Sequence, residues 1–205
     1  MVGILGNQDK ATQQLNKCLY SVQVGSNDYL NNYFMPQHYN TSTQYTLEQY
    51  AGVLMEQFSR QMRILYGYGA RKFALFGMAP IGCTPHAIKT YGTNGTLCVN
   101  KLNDAAQLFN DQLKLLIEQL RIELEDAKFV YVNMLGMIMQ LPKHFPEFKP
   151  MTATCCGVNE VDQCLPSSDA CFLRHVSLFW DGFHPTEAAN IITAKVSYGV
   201  IKTIL

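Results

Sequence analysis

An aspartate and a histidine three positions apart carry the clearest chemical signal in this sequence of 205 residues. They are Asp181 and His184, within FWDGFHPTEAAN, Phe179–Asn190. A carboxylate beside an imidazole fixes the ring tautomer and stabilises the imidazolium that forms when histidine takes a proton from a nucleophile. Pro185 suits the first position of a following helix, where its missing N–H group costs nothing. Taken alone, Asp-x-x-His favours a simpler interpretation, a helix-capping aspartate beside a surface histidine.

A second candidate is Asn27, within VGSNDY, Val24–Tyr29, directly after an apolar segment. Loops that follow the carboxyl ends of parallel strands build the sites of open α/β sheets. An asparagine there can donate its side-chain N–H to a developing oxyanion, typically worth ~10²–10³ in rate. Gly, Ser, Asn and Asp are also turn formers, so the segment taken alone favours a plain turn. A third segment, FGMAPIGCTP at Phe76–Pro85, is interpreted as a tight loop without a catalytic role.

Three short segments predict the strands that would position these loops: Leu19–Val24, Lys72–Met78 and Lys128–Met134. Each is rich in β-branched or aromatic residues and is bounded by turn or charged residues. Their near-continuous apolar character indicates a sheet covered on both faces. Strand–helix alternation predicts an α/β layered fold with a parallel sheet. Because sheets usually have about 5–6 strands, three strands suggest that part of the fold lies outside this chain.

Three helices are expected, at Tyr45–Tyr66, at Lys101–Leu124 and from Pro185 to the C-terminus. The first two place their apolar residues at the 3.6-residue period of an amphipathic helix. The apolar residues of the last are spread around its axis, so we expect it to be well buried. Residues 141–175, in which Pro, Cys, Gly and polar residues dominate, are expected to form a long loop tied down by disulfides. The length suits one domain over residues 1–205.

In this order and spacing, the segments closely resemble the GDSL esterase/lipase family of the SGNH-hydrolase superfamily, in its land-plant branch. GSNDYLNNYFMP is similar to the family's third block, and GARKFALFGMAPIGCTP to its characteristic strand and loop. The Cys-Cys-Gly at Cys155–Gly157 and FWDGFHPTEAAN resemble its C-terminal region and fifth block. The resemblance extends from about Leu15 to the end and implies a three-layer α/β/α sandwich with a parallel sheet.

The resemblance also implies roles for the matched residues. His184 would be the general base, Asp181 would orient it, and Asn27 would donate to the oxyanion. The implied reaction is transfer of an acyl group from a small ester or lipid to a serine, followed by hydrolysis with water. Transfer of the acyl group to an alcohol is an alternative. The resemblance implies neither a cofactor nor a metal.

The family's first and second blocks find no match in this sequence. It contains no Gly-Asp-Ser, so no residue matches the nucleophile, and the second-block glycine of the oxyanion hole has no match either. Ser26, beside Asn27, does not resemble a strained nucleophile elbow such as Gly-x-Ser-x-Gly and is rejected as the nucleophile. We therefore expect an ester hydrolase that is N-terminally truncated, with at least one strand missing. The alternative is a catalytically inactive remnant that only binds.

Cysteines and sequons indicate an oxidising compartment. The sequence has seven cysteines and Asn-x-Ser/Thr sequons at Asn40 and Asn94, which favours secretion and glycosylation, although the N-terminus has no signal-peptide pattern. A cytosolic protein with reduced thiols is the alternative. We expect Cys83 and Cys98 to pair and Cys18 to be a buried free thiol. The remaining cysteines should form two bridges by one of three pairings. They are Cys155, Cys156, Cys164 and Cys171.

Charge and spacing argue against several other functions. Lys+Arg and Asp+Glu balance at 16 each, so a nucleic-acid or acidic-lipid partner has no electrostatic support. No apolar run reaches the roughly 18 residues of a membrane span. No Cys/His cluster has the paired spacing of a zinc site. The other histidines have no carboxylate at useful spacing and are expected at the surface or in loops. They are His38, His86, His144 and His175.

Overall fold

A sheet of three parallel strands in the order β1-β2-β3 forms the centre of the computed structural model, which describes residues 2–148 and 151–205. The strands are β1 (Leu19–Val22), β2 (Lys72–Phe76) and β3 (Lys128–Val132). In the register, Leu19 pairs with Lys72, and Lys72 pairs with Lys128. The parallel sheet and all three strands were predicted, but each strand ends two residues earlier than expected.

The strands end early because local turns replace the sheet pairing. After β1, Gly25 adopts a φ of 116°, which favours glycine. After β2, the Met78 N–H turns away from the sheet and donates to the Asn110 side chain. After β3, Met134 already begins a helix. Apolar sequence continues past the ends of β2 and β3, so periodicity alone does not locate those two ends.

The chain forms two compact units that interleave along the sequence. The first unit comprises the residues up to Met78, Gln107–Asn133 and Gly199–Leu205. The second comprises Ala79–Ala106 and Met134–Tyr198. The expectation of one domain over residues 1–205 remains a prediction, and each unit is described by itself.

The first unit holds the sheet and several helices. β2 is buried at Phe73, Ala74 and Leu75, as expected for a strand covered on both faces. The longest helix in this unit begins with a capping box, in which Thr46 and Gln49 bond to each other's backbone N–H. A single π-helical turn at Tyr29–Tyr33 also belongs to this unit, as do α1 (Val2–Leu5), α2 (Gln8–Lys17), α3 (Ser26–Asp28), α4 (Thr41–Gln44) and α5 (Leu47–Gly67).

The second unit contains α6 (Pro85–Tyr91) and α8 (Met134–His144), whereas α7 (Asn100–Glu123) and α9 (Glu187–Ile201) contribute residues to both units. Short 3₁₀ helices occupy Ile81–Cys83, Arg174–Val176 and Lys202–Ile204.

Helix α8 corrects the prediction that a loop begins at residue 141 and that Met134 ends a strand. The segment MLGMIM is a short apolar run, and such runs do not distinguish a strand from a buried helix. Met134 and Leu141 are its buried residues. Pro142 is accommodated in the last turn, where little helix remains to be disrupted.

Helix α9 corrects two further expectations. It begins at Glu187 rather than Pro185, because Pro185 pairs with Phe179 in an isolated antiparallel bridge. Thr186 then caps the helix, with its Oγ1 accepting from the Ala189 N–H at 3.3 Å. The helix is also not well buried. Several apolar side chains are more than a third exposed, namely Ile191, Val196, Tyr198 and Val200.

All three disulfides lie in the second unit. The expected Cys83–Cys98 bridge is present, with the two Cα atoms 4.6 Å apart. The other two are Cys155–Cys171 and Cys156–Cys164, with Cα separations of 4.8 and 5.7 Å. Cys18 is a free thiol as expected, but it is half-buried rather than buried, because it lies at the end of α2.

Candidate active site

The predicted aspartate and histidine form a bonded pair in the second unit. Both carboxylate oxygens of Asp181 lie 2.9 Å from His184 Nδ1. The Asp181 side chain is only 5% exposed, whereas that of His184 is 66% exposed. The carboxylate therefore binds one ring nitrogen from the protein interior, and Nε2 lies on the far, solvent-facing side of the ring.

The local sequence folds this pair into place. Asp181 Oδ1 accepts the backbone N–H groups of Phe183 and His184 at 2.9 and 2.8 Å. Bonds from an aspartate to the backbone two and three residues ahead are typical of Asx-type turns. The turn is closed by the Trp180 N–H, which donates to the His184 carbonyl at 2.7 Å. Asp181 thus shapes the loop with the same carboxylate that orients the ring.

The electrostatics keep Asp181 ionised. Burial raises the pKa of its carboxyl, but bonds from the His184 and Phe183 N–H groups and from the His184 ring lower it, leaving it below its ordinary value. An ionised carboxylate accepts the proton on Nδ1, so the lone pair of a neutral imidazole remains on Nε2. This is the arrangement that a general base needs.

Backbone donors from the disulfide-bonded segment hold the same loop. The N–H groups of Cys155 and Cys156 donate to the Trp180 carbonyl at 2.9 and 3.0 Å. The Cys164 N–H reaches Asp181 Oδ2 at 3.4 Å. Two of the three cystine bridges therefore lie in the chain that packs against the Asp–His loop.

A second imidazole–carboxylate pair was missed by the sequence analysis. His86 Nδ1 lies 2.9 Å from Asp162 Oδ2, and Lys89 Nζ lies 2.5 Å from Oδ1 of the same carboxylate. The sequence offered no carboxylate at a useful spacing from His86, and the structure supplies one from a distant segment. The partner is 76 residues away in the sequence, so no spacing rule reveals it. The other three histidines, His38, His144 and His175, are exposed as expected.

Asn27 lies in the first unit, on α3 directly after β1. Its side chain is exposed, and its Oδ1 accepts from the Asn31 amide at 3.1 Å. That bond uses the oxygen and leaves Nδ2 as a donor, as an oxyanion contact requires. Gly25 opens this turn, where an added Cβ would lie 2.9 Å from the Met78 side chain. The structure thus joins Asp181 to His184, while a common site with Asn27 stays a prediction.

Both sequon asparagines are exposed. Asn40 immediately precedes α4, and Asn94 adopts a φ of 50° in the turn after α6. Their side chains are therefore accessible to a modifying enzyme, although glycosylation itself stays a prediction.

Residues 2–148 and 151–205 contain neither a candidate metal site nor a candidate membrane-spanning helix. No group of three or more His, Cys, Asp or Glu side chains in these ranges is placed to hold a metal ion. Among the helices described, none has the length and apolar character needed to cross a membrane.

Comparison with known proteins identifies the family. Residues 3–196 match the model for the GDSL-like Lipase/Acylhydrolase family. The chain belongs to this family. A GDSL esterase/lipase from Arabidopsis thaliana is 46% identical over 204 residues, which cover 97% of this chain and 56% of the relative. Two others from the same plant are 45% and 42% identical, with the same coverage. The chain thus spans about half the length of the curated relatives it matches.

Membership of the GDSL family agrees with the architecture. The helix-rich α/β fold with a parallel sheet is the class that the sequence predicted, and the family match confirms it. The sequence contains no Gly-Asp-Ser, the segment after which the GDSL family is named. Of the GDSL features recognised in the sequence, the Asp181–His184 pair is the one whose geometry is complete within a single unit.

Proposed function

We propose that this chain carries the acid–base part of a carboxylic-ester hydrolase that acts on a small ester or lipid. The observation that carries the proposal is the pairing of a buried, ionised Asp181 with the Nδ1 of an exposed His184. Family membership supports an ester as the substrate class. His184 is the general base, Asp181 holds its tautomer, and Asn27 donates to the oxyanion.

The reaction follows from these roles. A serine hydroxyl attacks the ester carbonyl carbon while its proton passes to His184 Nε2, and the carbonyl π electrons move to the oxygen, which accepts a bond from Asn27 Nδ2. The tetrahedral intermediate collapses, and the leaving alkoxide takes the proton from Nε2. Water then repeats the attack on the acyl-enzyme and releases the acid. The nucleophilic serine belongs to a Gly-Asp-Ser segment, which these 205 residues do not include.

The same proposal places the protein outside the cell. Three disulfides are typical of an oxidising compartment, and the exposed sequons at Asn40 and Asn94 fit the secretory route. Expression in a eukaryotic secretory host should add a glycan at each position. Asn40→Gln and Asn94→Gln should each remove one glycan, measured as a stepwise loss of mass. Secretion without any glycan would contradict glycosylation at these two sequons.

The test of the catalytic proposal compares two chains. The purified 205-residue chain should show no turnover of a short-chain aryl ester and no labelling by a fluorophosphonate probe, because it lacks the nucleophile. A chain extended at its N-terminus with the first and second blocks of an Arabidopsis relative should gain both activities.

In the extended chain, His184→Ala should abolish turnover, since loss of a triad member leaves only ~10³–10⁴-fold acceleration over water. His175→Ala, at an exposed histidine, is the matched control and should leave turnover unchanged. Labelling of the short chain at Ser26 or another serine would contradict the assignment of the nucleophile. An inactive but folded extended chain would favour the binding-only alternative.

A further inference from the structure

The second unit contains a buried carboxylate that the proposed chemistry does not use. Asp162 is 6% exposed and lies inside the loop closed by the Cys156–Cys164 disulfide. Its two oxygens are bonded by Lys89 and His86, both from α6. A buried charge is costly unless it is paired and hydrogen-bonded, and these two partners satisfy both oxygens. The bonds from Lys89 and His86 also lower the pKa of the Asp162 carboxyl.

The backbone of Asp162 binds the loop that carries the candidate active-site pair. Its carbonyl accepts the Gly182 N–H at 2.8 Å, and Gly182 is the residue directly after Asp181. The approach is so close that a Cβ added at Gly182 would lie 2.5 Å from Asp162 Cβ and 2.7 Å from its carbonyl oxygen. A glycine is therefore required at position 182, and Asp162 is the reason.

His86 binds both Gly182 and Asp162. Its backbone N–H donates to the Gly182 carbonyl at 3.0 Å, while its ring bonds Asp162 at 2.9 Å. The His86 ring also lies against Phe183, with the centroids 4.5 Å apart. Gly182 is thus bonded through its N–H to Asp162 and through its C=O to His86, and these two residues are bonded to each other.

We propose that Asp162 and His86 are positioning residues that hold the Asp181–His184 loop in its active geometry. The proposal rests on the proposed function, in which that pair performs the acid–base chemistry. Neither residue is assigned contact with the substrate. The hydrogen bond between their side chains fixes the Gly182 peptide, which keeps the Phe183 and His184 N–H groups aimed at the Asp181 carboxylate.

The test uses the 205-residue chain and needs no turnover. The titration midpoint of the Asp181 carboxyl is measured from its ¹³C chemical shift in the parent chain and in Asp162→Ala. Removing a nearby negative charge would by itself lower that midpoint. Loss of positioning raises it, because N–H donors to the ionised carboxylate are lost. The two effects have opposite signs, so the direction of the change decides between them.

We expect Asp162→Ala to raise the Asp181 midpoint and to speed amide exchange at Gly182. Asp126→Ala, which removes the ion pair with Arg71 in the first unit, is the matched control and should change neither. An unchanged or lower Asp181 midpoint in a folded Asp162→Ala chain would overturn the proposal.

A second pair of variants covers the case in which Asp162→Ala fails to fold. His86→Ala removes the ring donor, whereas His86→Asn places an amide N–H close to the former Nδ1. We expect His86→Ala to raise the Asp181 midpoint and His86→Asn to restore most of the parent value. Equal effects of the two substitutions would overturn the proposal. Because both readouts are independent of ester turnover, an inactive extended chain would contradict the proposed function and leave this result unaffected.

Discussion

The Asn110 side chain forms hydrogen bonds with both backbone polar groups of Met78, its N–H and its C=O. Its Oδ1 accepts the Met78 N–H at 2.5 Å, and its Nδ2 donates to the Met78 carbonyl at 3.0 Å. Asn110 is 1% exposed and projects from α7 to the point where the chain leaves β2. One amide side chain therefore replaces the sheet partners that the backbone loses at the end of the strand.

Asn110→Leu should destabilise the chain, because it keeps the branching at Cγ but leaves both Met78 groups buried without partners. Each such group costs about 1–3 kcal/mol. Urea unfolding monitored by circular dichroism measures the loss. Gln119→Leu, at an exposed position of the same helix, is the control and should change stability by less than about 0.5 kcal/mol. Equal stability of the two variants would show that the Asn110 bonds are dispensable.

The disulfide pairing can be read directly by peptide mapping under non-reducing conditions. We expect three cystine peptides, joining Cys83 to Cys98, Cys155 to Cys171 and Cys156 to Cys164. Alkylation before reduction should modify one cysteine, Cys18, which is half-buried and free. A peptide joining Cys155 to Cys164 would contradict the pairing, and so would an unreactive Cys18 found in a bridge.

The depressed pKa of Asp181 predicts a dependence of stability on pH. A carboxyl whose pKa is lower in the folded state contributes stability above its unfolded pKa of about 3.9, and this contribution is lost as the pH falls through the folded pKa. The difference in unfolding free energy between the parent and Asp181→Asn should therefore be larger at neutral pH and shrink in acid. Urea titrations at both pH values measure it.

The matched control for this titration is Asp169→Asn, at an exposed aspartate of the same unit. It should lower stability little at either pH. A difference for Asp181→Asn that grows as the pH falls would contradict a depressed pKa in the folded state.

The edge of the sheet at β1 predicts self-association. β1 is an edge strand of the order β1-β2-β3; Leu19 within it is 37% exposed, and Val24, two residues after its end, is 49% exposed. Unpaired strand edges template pairing with other chains, and a lysine on the edge opposes it. Ser21→Lys should therefore raise the concentration at which light scattering detects aggregates. Gln57→Lys, which adds the same charge on exposed helix surface, should raise it less.

Amide exchange checks the same feature in the parent chain. The backbone of Leu19–Val22 should exchange faster than that of the central strand, Lys72–Phe76. A monomeric chain in which both strands exchange equally slowly would contradict an exposed edge at β1.

The sequence predicted those parts of the fold that depend on local pattern. The strands were found because β-branched and aromatic residues cluster there, and α5 and α7 because their apolar residues recur with the helical period. α8 was missed because six apolar residues in a row fit either structure. The exposure of Ile191 and Val196 was missed because a helix that is apolar on all sides gives no sign of which side is covered.

The candidate site also contains some residues whose contacts a local pattern predicts and others whose contacts it does not. Asp181 and His184 are three residues apart, so one turn brings them together and the sequence can show it. His86 and Asp162 meet only through the path of the whole second unit, and Asp162 adopts a φ of 60° that no local pattern predicts. The contact between Asp181 and His184 could therefore be predicted from the sequence, whereas the contact between His86 and Asp162 could not.

The confinement of all three cystines to the second unit has a practical consequence for making the protein. The first unit has Cys18 as its sole cysteine and builds its sheet without an oxidant. The second unit relies on bridges that are each worth about 3 kcal/mol for loops of this size. Expression in the reducing cytosol of a bacterium should therefore yield a chain in which the sheet has formed but the Asp181–His184 loop has not. Co-expression with a thiol oxidase and a disulfide isomerase should allow the three disulfides of the second unit to form.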